Sequence, residues 1–185
     1  SAREGNSGTF RENINPAFEL AYWSWGLKKA NDWRERMGRE RNADWDRMAD
    51  QMAPWPVVNG VYVEAESVLE KDGGHPTQLA AYGFLPASAH LDKEVMRKTL
   101  RHVLDNWDWA DTWGWDFPLI AMTAIRLNEP EWALEALLKS VQKNTYLPNG
   151  HNFQNEGLPL YLPGNGGLLT VVAMMCAGWD GCTEG

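Results

Sequence analysis

The chain has 185 residues and a mass of 20.9 kDa, the size of one domain spanning residues 1–185. Apolar residues make up 44% and charged residues 23%, a globular composition that excludes disordered, collagen-like and coiled-coil classes. Seventeen basic and 25 acidic side chains give a net charge of −8, which argues against nucleic acid and anionic membranes as partners.

The first predicted elements are two helices and a hairpin. Asn15-Pro16 is typical of a helix start and predicts a first helix that ends near residue 38. A second helix is predicted over 43–52, where the apolar residues share one face. Asn59-Gly60 lies between two valine-containing runs and predicts a β-hairpin near 57–63, because Asn-Gly readily adopts the positive φ angles of a tight turn.

Five further helices are predicted in the rest of the chain. They alternate between apolar and amphipathic helices, in the order 77–84, from Asp92 onward, 119–127, from Pro130 onward, and 166–177 with Asn165 as its cap. The longest apolar run, 168–178, is about eleven residues long, whereas a bilayer span needs roughly 20. We therefore expect no membrane-spanning helix.

This alternation predicts how the helices pack. A helix that is apolar on most sides must be enclosed by others, so the simplest assembly is an inner layer of parallel helices wrapped by an outer antiparallel layer. The predicted fold is therefore all-α, an α/α toroid of the six-hairpin type. Seven helices form about half of such a ring, so we expect the missing half, or another chain, as a partner.

The predicted layer brings the segments before the four inner helices to one end. Flat aromatic rings with polar groups beside them suit sugars, which carry C–H faces and hydroxyl rims. Cleavage of a glycosidic bond also needs two carboxyl groups, about 6.5–9.5 Å apart in inverting enzymes. The polar and aromatic residues that these segments supply are Glu4, Glu12, Glu64, Glu66, His75, Trp107, Trp109, Trp113, Trp115, Asp116, Asn149, His151, Glu156 and Asn165.

The eleven tryptophans fall into two groups. Trp113 and Trp115 flank Gly114 in a loop, where we expect them to line a substrate site. Helical spacing predicts core positions for Trp23, Trp25, Trp33, Trp45 and Trp132.

The two cysteines are too few for a disulfide framework and too isolated for a zinc site. The expected acid/base chemistry needs no metal or organic cofactor.

Several motifs, in order along the chain, resemble the C-terminal part of the six-hairpin glycosidases. The nearest likeness is to glycoside hydrolase families 95 and 65, which include α-L-fucosidases and disaccharide phosphorylases respectively. The motifs are Gly-His-Pro at 74–76, Tyr-Gly-Phe-Leu-Pro at 82–86, Thr-Trp-Gly-Trp-Asp at 112–116, Pro-Asn-Gly-His at 148–151 and Leu-Pro-Gly-Asn-Gly-Gly at 162–167.

The resemblance implies an inverting glycosidase that works by general acid/base chemistry, secreted or periplasmic. Its general acid is a glutamate ahead of the first helix, which makes Glu4 the first choice and Glu12 the second. Family 95 has an aspartate just before Gly-Asn, where this chain has Pro163, so the base is expected to be Asp116, Glu156 or, in a phosphorylase, phosphate itself. A non-catalytic carbohydrate-binding helical module is the alternative. The expected substrate-binding residues are His75, Trp113, Trp115, Asn149, His151 and Asn165.

Overall fold

The computed structural model describes residues 13–68 and 73–182. These residues form seven α-helices, two small antiparallel hairpins and one 3-10 turn, and none of the helices described is long and apolar enough to cross a bilayer. The helices are α1 (Ala17–Arg36), α2 (Ala43–Asp50), α3 (Thr77–Gly83), α4 (Lys93–Asn106), α5 (Asp116–Arg126), α6 (Pro130–Leu137) and α7 (Leu162–Ala177). The strands are β1 (Val57–Val58), β2 (Val61–Tyr62), β3 (Thr145–Tyr146) and β4 (Asn152–Phe153), and the 3-10 turn is Gln142–Asn144.

Local signals account for several of these elements. The Asp92 side chain accepts hydrogen bonds from the backbone N–H groups of Glu94 and Val95, which confirms the predicted start of α4. Asn59 and Gly60 have φ angles of 50° and 80°, and β1 pairs with β2 in the predicted hairpin. These elements form as predicted because residues adjacent in sequence supply the decisive contacts.

The starts of two inner helices differ from the prediction. Helix α5 begins at Asp116 instead of residue 119, and α7 begins at Leu162 instead of residue 166. Pro118 and Pro163 fall in the first turns of these helices, where the missing proline N–H leaves no hydrogen bond unmade. The assignment of Asn165 as the cap of α7 is therefore wrong, since Asn165 lies inside the first turn. The hairpin β3–β4 was not predicted.

Four helices form a continuous row, and three pack behind it. Helices α1, α3, α5 and α7 contact one another in succession, while α2 packs on α1, α4 on α3 and α5, and α6 on α5. The N-terminal ends of α3, α5 and α7 lie together, as do their C-terminal ends, so these three helices are parallel. Every residue of α5 from Asp116 to Ile125 is buried, which makes it the central helix of the layer.

The two ends of the row remain open within the described parts of the chain. Helix α7 buries only Gly164 and Val171, although the sequence predicts an enclosed helix. On α1, Trp23 and Trp33 are 58% and 60% exposed, so the prediction that they are core residues is wrong. Helical spacing identifies a shared face, but it does not tell which neighbour covers that face.

Candidate functional site

The segments that precede α3, α5 and α7 lie side by side at one end of the row. The segment before α1 contacts residues 64–66: Asn15 Nδ2 donates to Glu66 Oε1 at 3.0 Å, and the backbone N–H of Ala17 donates to the carbonyl of Glu64. Farther along, His75 contacts Asp116, and the N–H of Gly114 donates to Gln154 Oε1 at 2.9 Å. The helix order thus brings distant stretches of the chain to one rim, as the alternating pattern predicts.

The chemical centre of this rim is the pair formed by His75 and Asp116. His75 Nδ1 lies 3.1 and 3.0 Å from the two carboxylate oxygens of Asp116. Asp116 is fully buried, whereas 35% of the His75 side chain is exposed. The loop that carries His75 is anchored by Trp107, whose Nε1–H donates to the carbonyl of Gly74 at 3.2 Å. The His75 ring, and not the Asp116 carboxylate, is therefore the part of this pair that a ligand can reach.

Burial governs the ionisation of Asp116. Desolvation raises the pKa of its carboxyl group, while the contact with His75, the N–H of Trp113 and the more distant charge of Lys143 oppose this rise. Because the Trp113 N–H donates to Oδ2 at 2.8 Å, both carboxylate oxygens have partners within the protein. The carboxylate can hold one imidazole tautomer, with Nδ1 protonated and Nε2 left as an acceptor.

Aromatic rings surround the exposed edge of His75. The His75 ring centroid lies 4.8 Å from that of Trp115 and 6.4 Å from that of Trp113. Tyr161 contacts Trp113 at 5.5 Å, and Lys143 Nζ lies 4.8 Å from the centre of the Trp113 ring. An imidazole nitrogen next to flat apolar rings can hydrogen-bond a hydroxyl group while the rings pack against its carbon skeleton.

A buried polar network holds this aromatic loop in place. Asn152 and Gln154 are both fully buried, and Gln154 Nε2 donates to Asn152 Oδ1 at 2.8 Å. A β-carbon on Gly114 would lie 1.9 Å from Asn152 Oδ1, so only glycine fits between Trp113 and Trp115. The hairpin β3–β4, which carries Asn152, thus sets the position of the Trp113–Trp115 loop.

The other predicted site residues lie apart from the pair. Asn165 connects the hairpin to α7, because its Nδ2 donates to the Gly150 carbonyl and its Oδ1 accepts from the Asn152 N–H. Asn149 is exposed, and its side chain accepts from the backbone N–H of His151. Glu156 lies in an exposed turn, and no hydrogen bond among the described residues connects its side chain to Asp116 or His75.

Glu4 and Glu12 lie outside the described residues. The structure therefore brings together His75, Trp113, Trp115 and Asp116 from the predicted set. It leaves Glu156 on the surface. Asn149 and His151 lie in the loop of the hairpin β3–β4, and Asn165 joins that hairpin to α7.

Three residues at or beneath the rim were not among the predicted site residues. Tyr161 immediately precedes α7, so its place before an inner helix was a usable signal. Burial raises the pKa of Tyr161 to about 12, with a further contribution from the charge of Asp116. Lys143 and Gln154 have no such signal, because each reaches the aromatic loop only through the fold of the unpredicted hairpin.

No protein-family model and no curated protein shows a significant match to this chain. The resemblance to six-hairpin glycosidases therefore remains a prediction from the motifs, and the site has to be interpreted from its own geometry.

Proposed function

We propose that this chain is part of a carbohydrate-active enzyme, a glycosidase of the α/α-toroid type whose substrate site is the rim around His75. The observation that carries the proposal is the exposed imidazole of His75, held by a buried carboxylate and flanked by two tryptophans. Sugars present C–H faces to aromatic rings and hydroxyl groups to a hydrogen-bonding nitrogen, so this set of groups suits a saccharide. The row of four inner helices then corresponds to an arc of the toroid.

In this proposal His75 contacts the substrate and Asp116 positions it. Asp116 has no exposed surface and both of its oxygens have protein partners, so the geometry favours an action through His75. Neutral His75, with its Nδ1–H donated to Asp116, offers Nε2 as a proton acceptor for water or a sugar hydroxyl. Trp113 and Trp115 form the platform for the sugar ring.

The reaction also requires a general acid. Within the described residues, Asp108 and Asp111 lie beside Gly73 of the loop that carries His75, and Glu64 and Glu66 lie in the segment that contacts the start of α1. Glu66 accepts a hydrogen bond from Asn15, whereas the partly buried Glu64 side chain has no hydrogen-bond partner among them. Glu64 therefore joins Glu4, the choice from the resemblance, as a candidate acid.

The test measures binding and turnover separately. Tryptophan fluorescence quenching by a panel of neutral oligosaccharides reports binding, and release of reducing ends reports hydrolysis. We expect His75→Gln to lower turnover by at least 100-fold and Trp115→Ala to weaken binding, while His90→Gln, outside the rim, serves as the matched control. Loss of a general base typically costs about 10²–10⁴-fold in rate.

The outcomes distinguish the candidate functions. Saccharide binding without turnover, in the wild-type chain as well as in the variants, supports the non-catalytic carbohydrate-binding alternative. Among the described rim residues Asp116 is the single buried carboxyl group, and this observation favours that alternative. Turnover that requires added phosphate and yields a sugar phosphate identifies a phosphorylase. If no saccharide quenches the fluorescence of the folded chain, the proposal fails.

A further inference from the structure

A second concave surface begins beside the rim, at Trp115, and extends along the helix row; His75 does not line it. A groove of about 600 Å³ lies between α5 and α7. Trp115, just before α5, and Arg126, the last residue of α5, both line it, and Phe84, which follows Gly83, lies between them. Eleven helical residues separate Trp115 from Arg126, which corresponds to roughly 16 Å along α5 at about 1.5 Å per residue. Its walls include Gly166, where an added β-carbon would meet no atom within 4 Å, whereas the wall glycines Gly83 and Gly167 face Thr123 and Pro118 and let α3 and α7 pack closely on α5.

Arg126 is the only charged side chain among the residues that line this groove. Its Nε–H donates to the carbonyl of Gly83 at 3.2 Å, and its guanidinium lies 5.8 Å from the Tyr82 ring centre and 5.6 Å from that of Trp179. These contacts hold the side chain in place but use only one of its three nitrogens. The two terminal amino groups have no protein acceptor within the described parts of the chain.

Among the described residues, the charge of Arg126 also has no ion-pair partner. No described carboxylate lies within ion-pair distance of the guanidinium; Asp180 acts on it only from farther away. Burial lowers the pKa of Arg126, because the charged form loses hydration. By contrast, Arg97 and Arg101, on the outer helix α4, each bind two carboxylates. An unpaired, partly desolvated guanidinium in a groove is matched in charge and geometry by an oxyanion.

We propose that Arg126 forms an oxyanion-binding subsite and that the groove takes an elongated ligand with a carboxylate or phosphate group at this end. Phe84 and Trp115 stack with ring centroids 6.2 Å apart and offer an apolar surface for the rest of the ligand. In a protein with a net charge of −8, general electrostatics repels anions, so binding depends on this one cation. If the proposed function holds, the ligand is an acidic saccharide.

Calorimetric titration with three probes tests the proposal: trigalacturonate, its neutral methyl ester and inorganic phosphate. A charged hydrogen-bonded contact is commonly worth a factor of about 10–100 in binding, so Arg126→Met should weaken trigalacturonate binding by that factor. Arg126→Lys should retain part of the affinity, because it keeps the charge but loses the planar fork. Arg36→Met, which removes a surface cation over Trp33 on α1, is the control and should change nothing.

A second measurement protects the test against misfolding of Arg126→Met. In the wild-type chain, added phosphate or trigalacturonate should shift the NMR signal of the Arg126 Nε–H group, and added salt should weaken the binding. Phosphate binding that depends on Arg126, without trigalacturonate binding, keeps the oxyanion subsite and refutes the saccharide ligand. The proposal is overturned if the Arg126 signal does not respond to either anion, or if folded Arg126→Met binds trigalacturonate as tightly as the wild type.

The His75→Gln variant separates this proposal from the proposed function. His75 does not line the groove, so Arg126-dependent anion binding should persist in that variant. If neutral sugars neither bind nor react at His75 but anions bind at Arg126, the proposed function fails and the anion subsite stands. If neutral sugars react at His75 but anions do not bind at Arg126, the anion subsite fails and the proposed function stands.

Discussion

Substitutions at Asp116 test the most specific structural statement, that this buried carboxylate sets the state of His75. Asp116→Ala removes the acceptor for two donors, His75 Nδ1–H and the Trp113 N–H. A buried donor left without a partner costs about 1–3 kcal/mol, so the free energy of unfolding should fall by roughly 3 kcal/mol. For a chain of this length the melting temperature should drop by about 6–12 °C.

Asp116→Asn has a different expected effect. The Asn oxygen can still accept from the Trp113 N–H, but its NH₂ group donates towards His75 Nδ1. That reverses the imidazole tautomer, so the proton moves to Nε2. We expect a loss of stability below about 1 kcal/mol, together with loss of any activity that needs Nε2 as a proton acceptor.

The pH dependence of stability gives an independent measure. Burial raises the folded-state pKa of Asp116 above its ordinary value of 3.8, so the native state binds this proton more tightly than the unfolded state. The contribution of Asp116 to stability is therefore largest in acid and falls as the pH rises through the folded pKa. Asp116→Asn should remove this component from the pH profile.

The assays are chemical denaturation across the pH range and NMR correlation of the imidazole nitrogens. The chain has only four histidines, which makes the His75 signals assignable with His75→Gln as the reference. The reasoning is refuted if Asp116→Ala unfolds within about 0.5 kcal/mol of the wild type, the usual range for surface substitutions. It is also refuted if the His75 tautomer is the same in the wild type and Asp116→Asn.

Two further predictions concern the surroundings of the pair. Gly114→Ala places a β-carbon 1.9 Å from Asn152 Oδ1 and should lower the free energy of unfolding by about 2 kcal/mol or more. Gly26→Ala is the control: an added β-carbon there meets no atom within 4 Å inside α1, so this variant should raise the free energy of unfolding by about 0.5–1 kcal/mol. Denaturant unfolding checks both, and equal effects would contradict the packing described. Tyr161 should ionise at about 12, with its stabilising contribution lost as the pH rises above the unfolded value near 10. In Asp116→Asn this pKa should decrease; ultraviolet titration against Tyr161→Phe measures it, and a wild-type value near 10 would show that Tyr161 is not buried.

Much of the secondary structure follows from the sequence because its causes are local. Asp92 caps α4 through its own neighbours, and Asn59-Gly60 closes the first hairpin without help from the rest of the chain. The alternation of apolar and amphipathic helices also predicted which loops share a rim, since helices two elements apart run in the same direction. The early start of α7 escaped prediction because Asn165 was taken as its cap, although Pro163 fits the first turn of a helix.

Only the tertiary structure decided which of the rim residues work together. His75 and Asp116 are 41 residues apart, and no periodicity couples them, so their pairing depends on how α3 and α5 pack. The same holds for Arg126, whose described neighbours at the end of α5 are the Gly83 carbonyl and the rings of Tyr82 and Trp179, with no carboxylate at ion-pair distance among the described residues. Sequence patterns report contacts within a turn or two of the chain, whereas burial, desolvation and the pairing of charges are properties of the packed helices.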